Sequence, residues 1–217
     1  MMRIDIWSDV ACPWCYVGKR NLETALTETG IEAEIHWRAF ELDPSAPLSV
    51  EKPMAEVLAS KYNLTLEQAE AMNQQMTETA RDAGLNYRLD LIKMGNTFNA
   101  HRLAKLAEGR GRGTQAAERL FAAYFTEGAA LSDPTTLKEI GVGLGLEAEE
   151  LDALLSSDAF ANEVRADEDM AHEAGITAVP TFVIDGKFAI PGAQPVETMI
   201  RLLERLNKPS GSGDEER

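Results

Sequence analysis

The chain has 217 residues, 44% hydrophobic and 26% charged, with a formal net charge of −15 and a sequence pI near 4.6. That is an ordinary globular balance, long enough to bury a sizeable core as one large domain or one domain carrying an insertion. The acidic surplus argues against nucleic-acid binding, which wants a basic patch, and no apolar run approaches the roughly 18 residues needed to span a bilayer.

Met1-Met2-Arg3 leads directly into a short strand, Arg3-Ile4-Asp5-Ile6-Trp7. No apolar h-region or small-residue cleavage site is present, so the expected compartment is the cytoplasm. Thiols there are mostly kept reduced, and a disulfide is usually transient or catalytic.

Next comes Cys12-Pro13-Trp14-Cys15, which contains both cysteines of the chain. The run Tyr16 to Leu26 behind it reads as an amphipathic helix. A C-x-x-C between a strand and a helix reads as a thioredoxin-like redox motif. The helix N-terminus offers unpaired N–H groups and the positive end of the helix dipole, which favour a thiolate at Cys12. Cys15 falls about one turn in, shielded, and placed to attack a mixed disulfide on Cys12. Pro13 suits the first turn because its missing N–H costs nothing there. A structural zinc site needs about four ligands, and His36, His101 and His172 are too scattered to complete one, so no metal is expected.

A second strand is expected from Ala33 to Phe40, where Glu34, His36 and Arg38 alternate with Ile35, Trp37 and Ala39. Glu41-Leu42-Asp43-Pro44 ends it. From about Met54 to Leu155 the patterning is helical. Thr65-Leu66-Glu67-Gln68 is a capping box opening a helix that stops before Gly84. Asn96 is expected to cap a helix running to about Glu108. Gly109 to Gly113 is a break, Thr114 to Glu127 a further helix, and Asp133-Pro134 a helix start. Asp158 opens the last inserted helix, which ends at Gly175. Its Asp167-Glu168-Asp169 run reads as a solvated face.

Toward the C-terminus, Val179-Pro180-Thr181 enters a strand, Thr181 to Ile184. Asp185-Gly186 is a hairpin turn signal, and Phe188-Ala189-Ile190 is the partner strand. A helix from about Pro195 to Leu206 follows. The expected fold class is therefore α/β, a thioredoxin fold (βαβ…ββα) with a large all-helical insertion. Residues 1–45 and 156–207 form its two halves, 46–155 the insertion and 208–217 a disordered tail.

Cys12-Pro13-Trp14-Cys15, Val179-Pro180-Thr181 and the helical segment between them resemble the DsbA family of the thioredoxin superfamily. Ser8-Asp9-Val10-Ala11 before the motif, Tyr16-Val17-Gly18 after it, and Asn96-Thr97-Phe98-Asn99-Ala100-His101-Arg102-Leu103 are similar to its FrnE-type cytoplasmic branch. The resemblance covers nearly the whole chain. It implies a cis Pro180 lying against the dithiol, catalysis by Cys12, Cys15 and Pro180, and substrate contacts from Pro13, Trp14, Val179 and Thr181. One departure stands out. Thioredoxin and periplasmic DsbA proteins carry a buried acid six residues before the first cysteine, where this chain has Ile6. Asp9 is the nearest substitute for proton transfer, or else a helix cap, and Asn96 and His101 are candidate supporting residues. His101 also fits a packed structural histidine. Arg110 and Arg112 could hold an anion such as a glutathione carboxylate, or simply lie in a solvated loop.

The expected function is a cytoplasmic thiol–disulfide oxidoreductase or isomerase acting on protein or peptide thiols and disulfides. It would need no cofactor beyond glutathione as a co-substrate. Two alternatives stand beside it: a glutathione-dependent isomerase or transferase of the same superfamily acting on a small molecule, and a non-catalytic peptide-binding chaperone. Oligomeric state is not legible in the residues.

Overall fold

The computed structural model describes residues 1–208, so the expected tail lies, Lys208 apart, outside the described residues. In chain order the elements are β1 (Met2–Ser8), α1 (Pro13–Thr29), β2 (Ala33–Ala39), α2 (Met54–Tyr62), α3 (Leu66–Asp82), α4 (Phe98–Glu108), α5 (Gly113–Phe125), α6 (Pro134–Gly143), α7 (Ala148–Leu155), α8 (Ala161–Glu173), β3 (Thr181–Ile184), β4 (Phe188–Pro191) and α9 (Val196–Leu206). This is βαβ, then helices, then ββα.

The four strands lie in the order β2-β1-β3-β4. β1 and β2 are parallel, joined by the α1 crossover, and β3 runs antiparallel to both β1 and β4. The turn between β3 and β4 has positive φ at both Asp185 and Gly186, 49° and 66°, and is closed by the Lys187 N–H donating to the Ile184 carbonyl at 3.0 Å.

Strand periodicity sorts the side chains onto two faces. Ile4 and Ile6 of β1 pair with Ile184 and Phe182 of β3. All four are essentially fully buried, in one core with Leu22 and Ala25 of α1 and Met199 and Leu203 of α9. Each such aliphatic side chain contributes about 1.5–3 kcal/mol relative to exposure. The same core continues through α3 to α7, so the inserted helices share it with the sheet. A stack of aromatic rings makes the junction. Tyr16 of α1 lies 5.0 Å from Phe121 and 6.1 Å from Tyr87, and Tyr87 lies 4.8 Å from Phe125.

The other sheet face, carrying Asp5 and Trp7, is covered by α8, whose Ala171 packs with Trp7 and Ile176. Here Asp167 departs from the solvated position expected of it, being only 2% exposed. Its carboxylate accepts from the Ala39 N–H at 2.9 Å and from Arg38 at 3.1 Å, and meets Lys105 Nζ at 2.5 Å. Its backbone carbonyl accepts from Trp7 Nε1 at 2.8 Å. Arg38 also grips Asp5.

Helix ends follow the sequence signals with two shifts. Thr65 and Gln68 form the expected capping box, and Asp133 caps α6 by accepting from the Thr136 N–H. Asn96, however, is not the N-cap of α4, a position taken by Thr97. Its Oδ1 accepts from the Phe98 N–H at 2.9 Å from one residue further out. Asp158 likewise stands outside α8, which begins after Phe160 in the left-handed region.

The acid behaviour of this fold follows chiefly from three carboxylates that packing partly shields. Burial would raise Asp5, Asp9 and Glu118, but each is held below its usual range. Arg3 and Arg38 outweigh burial at Asp5, His101 and two backbone N–H groups at Asp9, and Lys19, Tyr16 and Arg20 at Glu118. A carboxyl depressed in the folded state adds stability above its unfolded pKa and loses it as pH falls through the folded one. Buried Glu41 is raised instead and works the opposite way. Exposed Asp90 and Asp133 are held low too, by Arg88 and by Thr136, so five carboxyls stand against one, and denaturant midpoints measured from neutral pH downward should stay level to about pH 5 and then fall steeply toward about pH 2. A midpoint that rose on acidification would contradict this.

Candidate active site

The turn between β1 and α1 is built by Asp9. Its backbone carbonyl accepts from the Cys12 N–H at 3.0 Å, and its Oδ1 accepts from the Ala11 N–H at 3.1 Å. Oδ2 accepts from the Leu42 N–H at 2.7 Å, tying the turn to the segment after β2. Cys12 is the N-cap of α1 and Pro13 occupies its first turn, where no N–H is required. The Cys15 N–H donates to the Cys12 carbonyl at 3.0 Å, so the two thiols share one helical turn. Cys12 is 4% exposed and Cys15 1%, both as free thiols, while Trp14 projects between them at 47%.

The segment before β3 closes on this turn. The Val179-Pro180 peptide is cis, and the Cys12 thiol donates to the Val179 carbonyl at 3.5 Å. Thr181 Oγ1 donates to the Ala178 carbonyl at 2.8 Å, holding the bend. Gly18 permits the approach of α1, because a Cβ there would stand 3.0 Å from Pro180 Cγ and 3.1 Å from Phe182 Cζ. Cys12, Cys15, Pro13, Trp14, Val179, Pro180 and Thr181 are thus neighbours, although Val179 to Thr181 lie far from Cys12 in sequence.

Burial pushes the Cys15 thiol well above its usual range, and the neighbouring Cys12 pushes it further. The Ser8 side chain and the Asp9 backbone N–H pull it the other way. The sulfurs are therefore unlike: one at the helix rim against a carbonyl, the other beneath it in apolar surroundings.

Of the proposed supporting residues, Asp9 and His101 meet. His101 Nε2 lies 3.4 Å from Asp9 Oδ1, and both side chains are almost wholly buried. The contact is not aligned as a hydrogen bond, and His101 Nε2 has no other partner. The Asp9 carboxylate, held low by His101 and its two backbone donors against the effect of burial, stays ionised. It organises the turn and is in the wrong state to give Cys15 a proton at neutral pH. It does not cap α1, whose N-cap Cys12 accepts no side-chain bond. Asn96 stands further back, with Nδ2 donating to buried Glu41 at 3.3 Å, and Arg165 closes on the other Glu41 oxygen at 2.7 Å. Arg110 pairs with Glu150 and Arg112 donates to the Leu144 carbonyl, so both already have partners.

Two neighbours escaped the sequence reading. Ser8 is the polar end of the alternation Ile4, Ile6, Ser8, a signal that was available. Tyr87, whose hydroxyl donates to the Pro13 carbonyl at 2.7 Å, fastens the insertion to the first turn of α1. Nothing in its local sequence marks it.

The family model described as DSBA-like thioredoxin domain matches residues 3–204. A crystal structure of a probable DsbA oxidoreductase from Streptomyces coelicolor is 39% identical, covers 100% of this chain and 96% of its own, and superposes with a TM-score of 0.91. The cytosolic disulfide reductase DsbM from Pseudomonas aeruginosa, solved with GSH, shares the fold at 18% identity, covering 95% of this chain and 100% of its own, with a TM-score of 0.66. Among curated proteins, the uncharacterised YwbO of Bacillus subtilis (strain 168) is 29% identical over 208 residues, 88% of this chain and 90% of YwbO.

Proposed function

This chain belongs to the DSBA-like thioredoxin domain family, and from that membership we propose that it is a cytoplasmic thiol–disulfide oxidoreductase of the FrnE-type branch, acting on protein or peptide substrates through Cys12 and Cys15. The observation that carries the reading is the contact of the Cys12 thiol with the Val179 carbonyl beside Pro180, with Cys15 one turn beneath.

In the reducing direction, the Cys12 thiolate attacks one sulfur of a substrate disulfide. A Cys12–substrate disulfide forms and the other substrate thiolate leaves. Cys15 then loses its proton and attacks Cys12 Sγ, which closes the Cys12–Cys15 disulfide and releases the second substrate thiolate. The substrate has gained two electrons and the enzyme has lost them. The oxidising direction is the reverse, and the balance between them is set by reduction potential.

Val179, partly exposed just before Pro180, presents backbone at the rim where a substrate chain would lie, while the Pro180 carbonyl is taken by the Gly192 N–H and Thr181 by the sheet. Trp14, exposed beside Cys12, offers it an apolar surface. Glutathione suits the role of small thiol co-substrate, a choice supported by the GSH held by the similar DsbM structure. The absence of any helix long and apolar enough to cross a membrane, among the described residues, is compatible with the cytoplasmic placement.

Insulin reduction by dithiothreitol is the test. The folded protein should accelerate precipitation of the insulin B chain. No acceleration would overturn the protein-disulfide reading and leave glutathione-dependent chemistry on a small molecule as its successor.

A further inference from the structure

The insertion reaches the dithiol through a single hydroxyl. Tyr87 lies between α3 and α4, is buried, and stacks on Phe125 at 4.8 Å and on Tyr16 of α1 at 6.1 Å. Its hydroxyl donates to the Pro13 carbonyl at 2.7 Å. Burial above all, and then the nearby Cys12, raise that hydroxyl above its usual range, so it keeps its proton and remains a donor. Pro13 is the first residue of α1, so its carbonyl and the Trp14 N–H are the two ends of one peptide group. The Trp14 N–H stands at the second helical position, where no carbonyl of the helix reaches it. The Cys15 N–H, at the third, is already taken by the Cys12 carbonyl at 3.0 Å. Cys12 itself is the N-cap, with extended backbone, the place from which a side chain turns back onto the second or third N–H.

These contacts require Cys12 to change partner when it ionises. As a thiol it donates to the Val179 carbonyl at 3.5 Å. As a thiolate it has no proton to donate and that carbonyl oxygen repels it, so the free donor of the first turn, the Trp14 N–H, takes over. A hydrogen bond accepted at one end of a peptide group strengthens donation at the other, by about 10–30%. Resting on the disulfide-exchange reading above, we propose that Tyr87 is a positioning residue for Cys12: its bond to the Pro13 carbonyl fixes and polarises the Pro13–Trp14 peptide, and so stabilises the thiolate that attacks substrate. The effect belongs to the reduced protein alone. In the oxidised protein Cys12 Sγ is bonded to Cys15 Sγ and carries no charge, and a stronger Trp14 donor gains nothing. Tyr87 therefore draws the couple toward the dithiol and makes the protein a stronger oxidant than the helix start alone would.

Equilibration of the full-length protein with mixtures of reduced and oxidised glutathione near pH 8 measures this. Two glutathione thiols and the protein disulfide exchange two electrons and two protons with glutathione disulfide and the protein dithiol. Tyr87→Phe keeps the ring and both stacks and removes only the hydroxyl, and the Pro13 carbonyl retains its place in the helix ladder, so the fold should hold. Weakening one charge-assisted bond by the stated fraction should shift the equilibrium about two- to fourfold toward the protein disulfide, equal to about 9–18 mV. Urea midpoints of the two forms read the same difference independently, and the reduced form should lose more than the oxidised one. An unchanged equilibrium with equal falls in both midpoints would make Tyr87 a structural fastening only and overturn the proposal, as would a shift toward the dithiol. A wild type that forms no Cys12–Cys15 disulfide in oxidised glutathione would instead overturn the disulfide-exchange reading beneath it.

Discussion

Cys12→Ser should reduce the protein's acceleration of insulin reduction by on the order of a thousandfold or more, to the rate of dithiothreitol alone. Serine is close to cysteine in size and suits the N-cap position, where Cys12 makes no side-chain capping bond, so the fold should survive. What disappears is the nucleophile. A hydroxyl cannot form the mixed disulfide through which exchange proceeds. Cys15 is no substitute, because it lies beneath the helix start at 1% exposure and burial holds it in the thiol form. The same substitution separates the three functional readings. A peptide-binding chaperone should keep its activity in Cys12→Ser. A glutathione transferase-like enzyme should keep part of it, because a serine hydroxyl can still orient a bound thiol. An oxidoreductase should lose it all. Retained insulin reduction in a well-folded variant would refute the role given to Cys12.

Asp167→Ala should have the largest effect on stability, about 3–5 kcal/mol, by the mechanism of breaking a buried ion cluster from one side. Lys105 is 9% exposed and would lose the carboxylate 2.5 Å from its amine. Arg38 and the Ala39 N–H would lose acceptors as well. For a chain of this size the loss corresponds to a fall in Tm of roughly 10 °C. Lys105→Met in the same background should return part of it, since the buried ammonium, left with only Glu108 and the Trp37 carbonyl, is part of the penalty. Urea unfolding of the three proteins checks both statements. A cost below about 1 kcal/mol would mean that water replaces the lost partners.

Asp167 also marks the boundary of what the sequence discloses. Asp167-Glu168-Asp169 has the composition of a solvated face, and only tertiary packing turns its first member onto the sheet, where β2 and α4 supply the counter-charges. Elements signalled locally were legible: the C-x-x-C at a helix start, the capping box at Thr65, the Asp133-Pro134 start and the positive-φ turn at Asp185-Gly186. The approach of Pro180 to Cys12 was legible through family resemblance, because no local rule joins positions so far apart. The partners of the supporting residues were not. Asp9 reads equally as a cap or a proton-transfer substitute, and its role as the anchor of the turn is in neither reading. The Leu42 N–H and His101 decide the matter, and both come from other parts of the chain. Tyr87 is invisible for the same reason, being defined by a carbonyl at Pro13 and a ring at Phe125.

The central claim is that Cys12 takes the substrate and Cys15 releases it. Intact-mass measurement of Cys15→Ser and Cys12→Ser after incubation with a disulfide-bonded peptide addresses it most directly. The account predicts a stable adduct of one peptide chain on Cys15→Ser, removed by dithiothreitol, and none on Cys12→Ser. An adduct on Cys12→Ser, or on neither variant, would contradict it.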